Sequence, residues 1–342
     1  MFDATEQAVL FNFFCVMSFI IGACLGSFYN VCIYRIPMKQ SIVKPASHCF
    51  SCGTYLKWYD NIPILGWPML GGRCRYCGTP YSSRYCLVEL LSAVLYLIAF
   101  IVFGPTVLLL FIWLFLGLLI IGTFTDIDHF IIPNRINYGG LLIGLLGGAL
   151  VGRDWPACRA MYNLMDDVHF LMGKFGDVEP WWVLPSWADG LLCAGIGAGF
   201  GWLLLWLVSV GGRLLFRKEA MGFGDVKLMA FLGAFLGVQG CLEVVGLASF
   251  LGAFVSVTMI ALHRMIGRDK IVEAVLDPEK LPELCRTEAN TSGGVVHVRI
   301  PLRTAGQLHY LPFGPYLAVA AIIIVLCYKQ VEQLISWWLS IG

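Results

Sequence analysis

The chain has 342 residues, 58% of them hydrophobic and 13% charged, with a formal net charge of +1. That much apolar surface excludes a water-soluble globular domain, and the near-neutral balance excludes nucleic-acid binding through bulk electrostatics. The chain reads as an all-α integral membrane protein, a polytopic bundle of about eight transmembrane helices surrounded by membrane lipid.

The first apolar stretch, at about residues 8 to 33, is preceded by Asp3 and Glu6 rather than by Lys or Arg, and no small-residue cleavage site follows it. It is therefore expected to remain as a span. Further spans are expected at roughly 86 to 103, 107 to 125, 131 to 151, 188 to 212, 226 to 238, 241 to 262 and 311 to 327, with Gln239 and Gly240 separating the sixth from the seventh. With the N-terminus outside, 19 of the 23 Lys and Arg residues fall in inner loops. The positive-inside rule then sets both termini outside. Two insertions do not span: an outer one at about 152 to 187, and an inner one at about 263 to 310. Trp155, Trp181, Trp182 and Trp187 give the outer one the character of an interfacial lid or belt. Lys280, Glu283, Arg286 and Glu288 make the inner one a solvated appendage.

The inner loop after the first span carries Cys49-Phe50-Ser51-Cys52 and Cys74-Arg75-Tyr76-Cys77, two C-x-x-C pairs with 21 residues between them. That is close to the spacing of a four-thiolate zinc site, which is coordinatively closed and therefore structural. The alternative is a pair of disulfides. It requires an oxidising compartment, whereas seven basic residues place this loop in the reducing cytosol.

Ionisable residues at membrane depth need a reason. The third span ends in Thr125-Asp126-Ile127-Asp128-His129, and the sixth opens with Gly222-Phe223-Gly224-Asp225-Val226-Lys227. The derived topology brings Asp126 and Asp225 to the same face. Two carboxylates within a few ångströms share a proton, so one can act as general base to a water while the other acts as acid. Gly222 and Gly224 would let an extended substrate backbone lie close to Asp225 and permit a bend before the helix. Pro133 would break the helix after Asp126. The plainer reading is that such acids merely terminate helices facing water. Asp128 and His129 fit that reading, and Asp128 alternatively supports Asp126 by hydrogen bonding.

Gly-x-Gly-Asp opening a span, with a partner Asp seven residues before a Pro, resembles the Gly-x-Gly-Asp intramembrane aspartic peptidases. Within them, the run from Glu219 to Leu228 resembles the bacterial type IV prepilin peptidases, as does Gly26-Ser27-Phe28-Tyr29-Asn30-Val31-Cys32-Ile33-Tyr34-Arg35-Ile36-Pro37 after the first span. The resemblance implies a catalytic pair at Asp126 and Asp225, supported by Asp128, Pro133, Glu219, Gly222, Gly224 and Lys227. Pro312-Phe313-Gly314-Pro315 matches the family's C-terminal motif, which makes Pro312 and Gly314 candidate site residues; on physical grounds it is equally a helix-start turn.

The implied enzyme sits in the bacterial inner membrane and cleaves the leader of a type IV prepilin, or of a type II secretion pseudopilin, at the cytoplasmic boundary. The cysteine loop makes the chain resemble the bifunctional members, which then methylate the new N-terminus with S-adenosylmethionine. No residue here independently announces a methyl-donor site, although Glu89 fits the family pattern. Residues 1 to 85 would form a methyltransferase-associated region with the structural Zn2+, and 86 to 342 the peptidase domain with both insertions. Three other readings stand beside this one: a peptidase without methyl transfer, an ion-relay transporter, and a zinc scaffold without enzymatic activity.

Overall fold

The computed structural model describes residues 4–162, 184–216, 222–266, 290–292, 295–297 and 312–339. Glu219 of the predicted site, Trp181 and Trp182 of the outer insertion, and Lys280, Glu283, Arg286 and Glu288 of the inner one lie outside these residues. The described helices are α1 (Ala4–Arg35), α2 (Gly66–Met69), α3 (Arg84–Phe103), α4 (Val107–His129), α5 (Asn134–Val151), α6 (Ser186–Phe216), α7 (Phe223–Ile266) and α8 (Gly314–Leu339). In a medium without water a helix satisfies every backbone group internally, which is why the long apolar runs take this form.

Two compact units divide the chain, one of Met1–Ser249 with Phe313–Gly342 and one of Phe250–Pro312. The second contains the last part of α7 and a short antiparallel hairpin, β1 (Asn290–Ser292) and β2 (Val295–His297), with Asn290 opposite His297. Every functional residue discussed below, apart from Pro312, belongs to the first unit.

Six helices are long and apolar enough to cross a membrane, and Gly314–Cys327 is a shorter apolar stretch. Among the described residues the count of eight expected from the sequence is therefore not confirmed. The two spans predicted on either side of Gln239-Gly240 lie within α7, which is interrupted at a single non-helical residue, Gly237 (φ 72°, ψ −168°). Gly237 can hold that positive φ without a Cβ penalty, so the chain kinks there and resumes the helix instead of forming a loop.

Small residues allow the helices to approach closely, as they must where no hydrophobic gradient drives helices together in lipid. On α1, a Cβ at Gly22 would lie 2.7 Å from the Ser92 carbonyl of α3, and one at Gly26 would lie 2.8 Å from the Glu89 Cα. On α6, a Cβ at Gly190 would collide with the carbonyl oxygens of Gly148 and Gly152 at the end of α5. Gly190→Ala should accordingly destabilise the bundle by about 1–3 kcal/mol, the usual range for overpacking, measured by thermal unfolding in detergent.

Between these contacts lies an aromatic core. Phe115 of α4 packs on Phe235 of α7 with centroids 4.5 Å apart, and Phe235 packs on Trp155 at 4.9 Å. Trp155 is fully buried and its indole N–H donates to the Ala234 carbonyl at 2.8 Å. The expectation that it belongs to an interfacial belt is therefore corrected: a backbone acceptor inside the bundle satisfies its one polar group, so the ring fills the core. Trp187 is exposed, as a belt residue would be.

Candidate active site

Asp126 ends α4. Helix α4 stops because Phe130 takes the left-handed conformation (φ 54°) and its N–H caps the Asp126 carbonyl at 2.8 Å. Residues 130–133 are non-helical, and Pro133 leads directly into α5 at Asn134. The predicted break at Pro133 is thus present, with the left-handed Phe130 as the actual terminator.

This turn is the surface on which the second acid is placed. A Cβ at Gly224 would sit 3.7 Å from the Ile132 Cβ, and the Gly224 carbonyl accepts a hydrogen bond from Nδ2 of the buried Asn137 at 3.3 Å. One turn further along α7, the Lys227 ammonium donates to Oδ1 of Asn134 at 2.8 Å. These contacts clamp the start of α7 onto the start of α5 and set Asp225 in its first turn at the same end of the bundle as Asp126. Gly224 lies within the first turn of α7 and has no positive φ, so it does not use glycine's special freedom to make the expected bend. Among the described residues, only the Gly224 nitrogen comes within 4.0 Å of where a Cβ on Gly222 would be.

Both carboxyl groups are buried, Asp126 to 5% and Asp225 to 9% exposure, and they converge on Gly314, the first residue of α8. A Cβ there would lie 2.5 Å from Asp126 Oδ2 and 3.2 Å from Asp225 Oδ1, so the two oxygens are no further apart than those distances combined. At such a separation the two acids sense each other's charge, which favours a single shared proton. Gly314→Ala should push the carboxylates apart. A displacement on the order of 1 Å lowers catalysis about 10²-fold, which a cleavage assay of the purified variant would register. Pro312 is half-buried and precedes this turn.

Asp128 does not reach for Asp126. It pairs with Arg84 at the start of α3, Nη1 to Oδ1 at 2.6 Å, and the same guanidinium lies 5.1 Å over the Phe124 ring. Sequence reasoning missed Arg84 and Asn137. The available signals were a basic residue at the start of a span and a lone amide among apolar residues, and neither reveals its partner without the fold.

The four cysteines of the inner loop come together. Each C-x-x-C-Gly-Thr run makes the same turn: the Cys49 N–H donates to the Thr54 carbonyl and the Gly53 N–H to the Cys49 carbonyl, and Cys74, Thr79 and Gly78 repeat both bonds, all at 2.9 Å. Gly53 and Gly78 hold φ values of 69° and 70°, which glycine adopts at no steric cost. All four sulfurs lie within 4.8 Å of one another, with Cys49 and Cys77 at 3.7 Å. Tetrahedral zinc at about 2.3 Å from each thiolate would space its sulfurs about 3.8 Å apart, so the cluster fits such an ion with shifts of about 1 Å or less. The Thr79 hydroxyl and backbone draw the Cys77 thiol down to about 6, which favours the thiolate a metal needs.

A bundle of helices long and apolar enough to cross a membrane, with two buried carboxylates converging at one end and a four-cysteine loop before α3, is the arrangement expected of an intramembrane enzyme. Residues 20–103 match the bacterial peptidase A24 N-terminal domain, and residues 113–257 match the type IV leader peptidase family. Three bacterial relatives are named prepilin leader peptidase/N-methyltransferase. The Myxococcus xanthus protein is 37% identical over 72% of this chain and 63% of its own length. The Klebsiella pneumoniae protein is 35% identical over 68% of this chain and 89% of its own, and the Aeromonas hydrophila protein 29% identical over 94% and 92%. The chain belongs to the type IV leader peptidase family. No solved structure matches it.

Proposed function

We propose that the protein cleaves the leader peptide of a type IV prepilin or a type II secretion pseudopilin, with Asp126 and Asp225 as the catalytic pair, and then methylates the new N-terminus. The observation that carries this reading is the convergence of both buried carboxylates on Gly314. One carboxylate, ionised, takes a proton from a water, which attacks the scissile carbonyl. The other, protonated, hydrogen-bonds the carbonyl oxygen and passes its proton on as the amine leaves. Gly314 is needed because a side chain there would occupy the space the carbonyl must enter. Gly222, which no described side chain approaches within 4 Å, leaves room for an extended backbone beside Asp225.

Asn137, Asn134 and Lys227 act as positioning residues that hold the Gly224 segment, while Asp128 acts through Arg84. Cys49, Cys52, Cys74 and Cys77 would hold a structural Zn2+ that fixes the loop preceding α3, and S-adenosylmethionine would supply the methyl group. Residues 1–85 would then serve methyl transfer and residues 86–342 proteolysis. The site faces the cytoplasm of a bacterial inner membrane, with the N-terminus outside. Incubating the purified chain with a prepilin and S-adenosylmethionine, and weighing the products, tests the reading. A shortened product carrying one methyl increment is expected; an uncleaved precursor overturns the peptidase reading, and a shortened product without the increment overturns the methylation.

A further inference from the structure

A cavity of about 670 Å³ lies apart from the carboxylate pair, between the C-terminal end of α1, the cysteine loop and the first turns of α3. Its volume falls in the range of about 300–1,000 Å³ that holds ligands of nucleoside size and larger. Three features of its wall bear on what it takes. The first is aromatic: Tyr34 and Phe50, with ring centroids 5.1 Å apart, line it along with Trp67 and Tyr85, which suits a flat heteroaromatic base.

The second is acidic. Asp60 and Glu89 both line the cavity. Asp60 is buried; its Oδ1 pairs with Arg75 at 2.7 Å, while its Oδ2 has no hydrogen-bond partner among the described residues. Glu89 receives the Ile64 N–H on Oε2 at 2.7 Å. Arg75, which also lines the cavity, pairs with Asp60, so the acceptors left for a positive centre beside the aromatic wall are Asp60 Oδ2 and the Glu89 carboxylate. The third is basic: Arg35 and Lys44 also contribute to the wall and suit a carboxylate.

A flat base, a positive centre and an amino-acid carboxylate occur together in an adenosyl sulfonium. We propose that this cavity is the binding site for S-adenosylmethionine, an inference that rests on the reading of the chain as an N-methylating enzyme. The Cys49 and Cys74 side of the metal cluster forms part of the same wall, so the metal would shape the cavity while staying out of the chemistry. The cavity also adjoins the peptidase site: Tyr85 of its wall follows Arg84, whose partner Asp128 stands two residues beyond Asp126. A new N-terminus released at the acid pair therefore emerges at the end of the bundle where the donor would wait. In the transfer the free amine attacks the methyl carbon. The N–C bond forms, the C–S bond breaks with its electron pair remaining on sulfur as a neutral thioether, and the displaced proton leaves to water.

The test is equilibrium binding of radiolabelled S-adenosylmethionine and S-adenosylhomocysteine to the full-length, metal-loaded chain, followed by ultraviolet cross-linking and peptide mapping. Wild type is expected to bind saturably, with cross-links within residues 27–89. Glu89→Gln and Tyr34→Ala should each weaken donor binding at least tenfold with their metal content intact. Glu89→Gln should affect the neutral homocysteine product less than the sulfonium, a difference that a merely structural role would not produce. Trp58→Ala, an exposed ring outside the cavity, serves as control and should bind normally. Cross-links elsewhere, or unchanged affinity in both cavity variants, overturn the site while leaving methylation standing. A wild-type chain that cleaves prepilin but neither binds donor nor adds methyl overturns both the site and the methylation on which it rests.

Discussion

Replacing either Asp126 or Asp225 with Asn lowers leader cleavage at least about a thousandfold, within the range by which a positioned general acid or base accelerates proton transfer. The size of the effect follows from the division of labour. A water between the acids needs an ionised carboxylate to accept its proton, and the scissile carbonyl needs a protonated one to polarise it. Asn supplies neither a base nor a transferable proton, so the surviving acid cannot complete the cycle. The effect should be confined to chemistry. Each carboxyl is buried but faces the space before Gly314, and Asn retains its shape, so helix content and thermal midpoint should stay near wild type. The measurement is kcat/KM for prepilin cleavage alongside circular dichroism. A variant that folds normally and cleaves at more than a tenth of the wild-type rate would remove that residue from the reaction and return the ion-relay reading to consideration.

The acid pair was legible because two local signals agreed: each Asp lies at a span end, and the positive-inside pattern assigns those ends to the same face. The four cysteines were legible for a similar reason, since both halves of the site are short repeats whose turns form from local hydrogen bonds alone. What escaped depends on contacts between distant segments. Arg84 finds Asp128 across 44 positions, and Asn137 finds the Gly224 carbonyl across 87. No periodicity encodes either contact. Trp155 was misplaced because its flanks are polar and only the fold supplies the Ala234 carbonyl that lets an indole be buried. The boundary expected at Gln239-Gly240 falls instead at Gly237, where a positive-φ glycine kinks α7 between two helical stretches, a conformation that only the fold reveals. The cavity itself gave no sequence signal because its wall is assembled from a helix end, a loop and a helix start, and the motifs these carry do not show that they enclose a common space.

Cys74→Ser should empty the metal site and with it lose methylation. Four thiolates form a closed shell, and structural zinc in such sites contributes about 10–16 kcal/mol of apparent binding energy that is also folding energy. Losing one ligand removes more than the ten- to hundredfold in affinity that outer-sphere partners cost, since Ser neither ionises at neutral pH nor matches the softness of sulfur. Around this cluster the loop is held mainly by its own turns, by the Arg75–Asp60 pair and by the Tyr81 N–H donating to the Gly72 carbonyl. Without the ion the two knuckles are free to separate, and the wall they give the cavity goes with them. Elemental analysis should fall from one zinc per chain to near none, limited proteolysis should cut between residues 46 and 82, and the methyl increment should disappear from the product. Cleavage should fall by a smaller factor, because the acids lie on α4 and α7 against the start of α8, and the Arg84–Asp128 pair ties α4 to the start of α3, just after the loop. If instead a metal-free Cys74→Ser chain methylates at the wild-type rate, the loop and its ion serve some other purpose, and the division of the chain at residue 85 loses its basis.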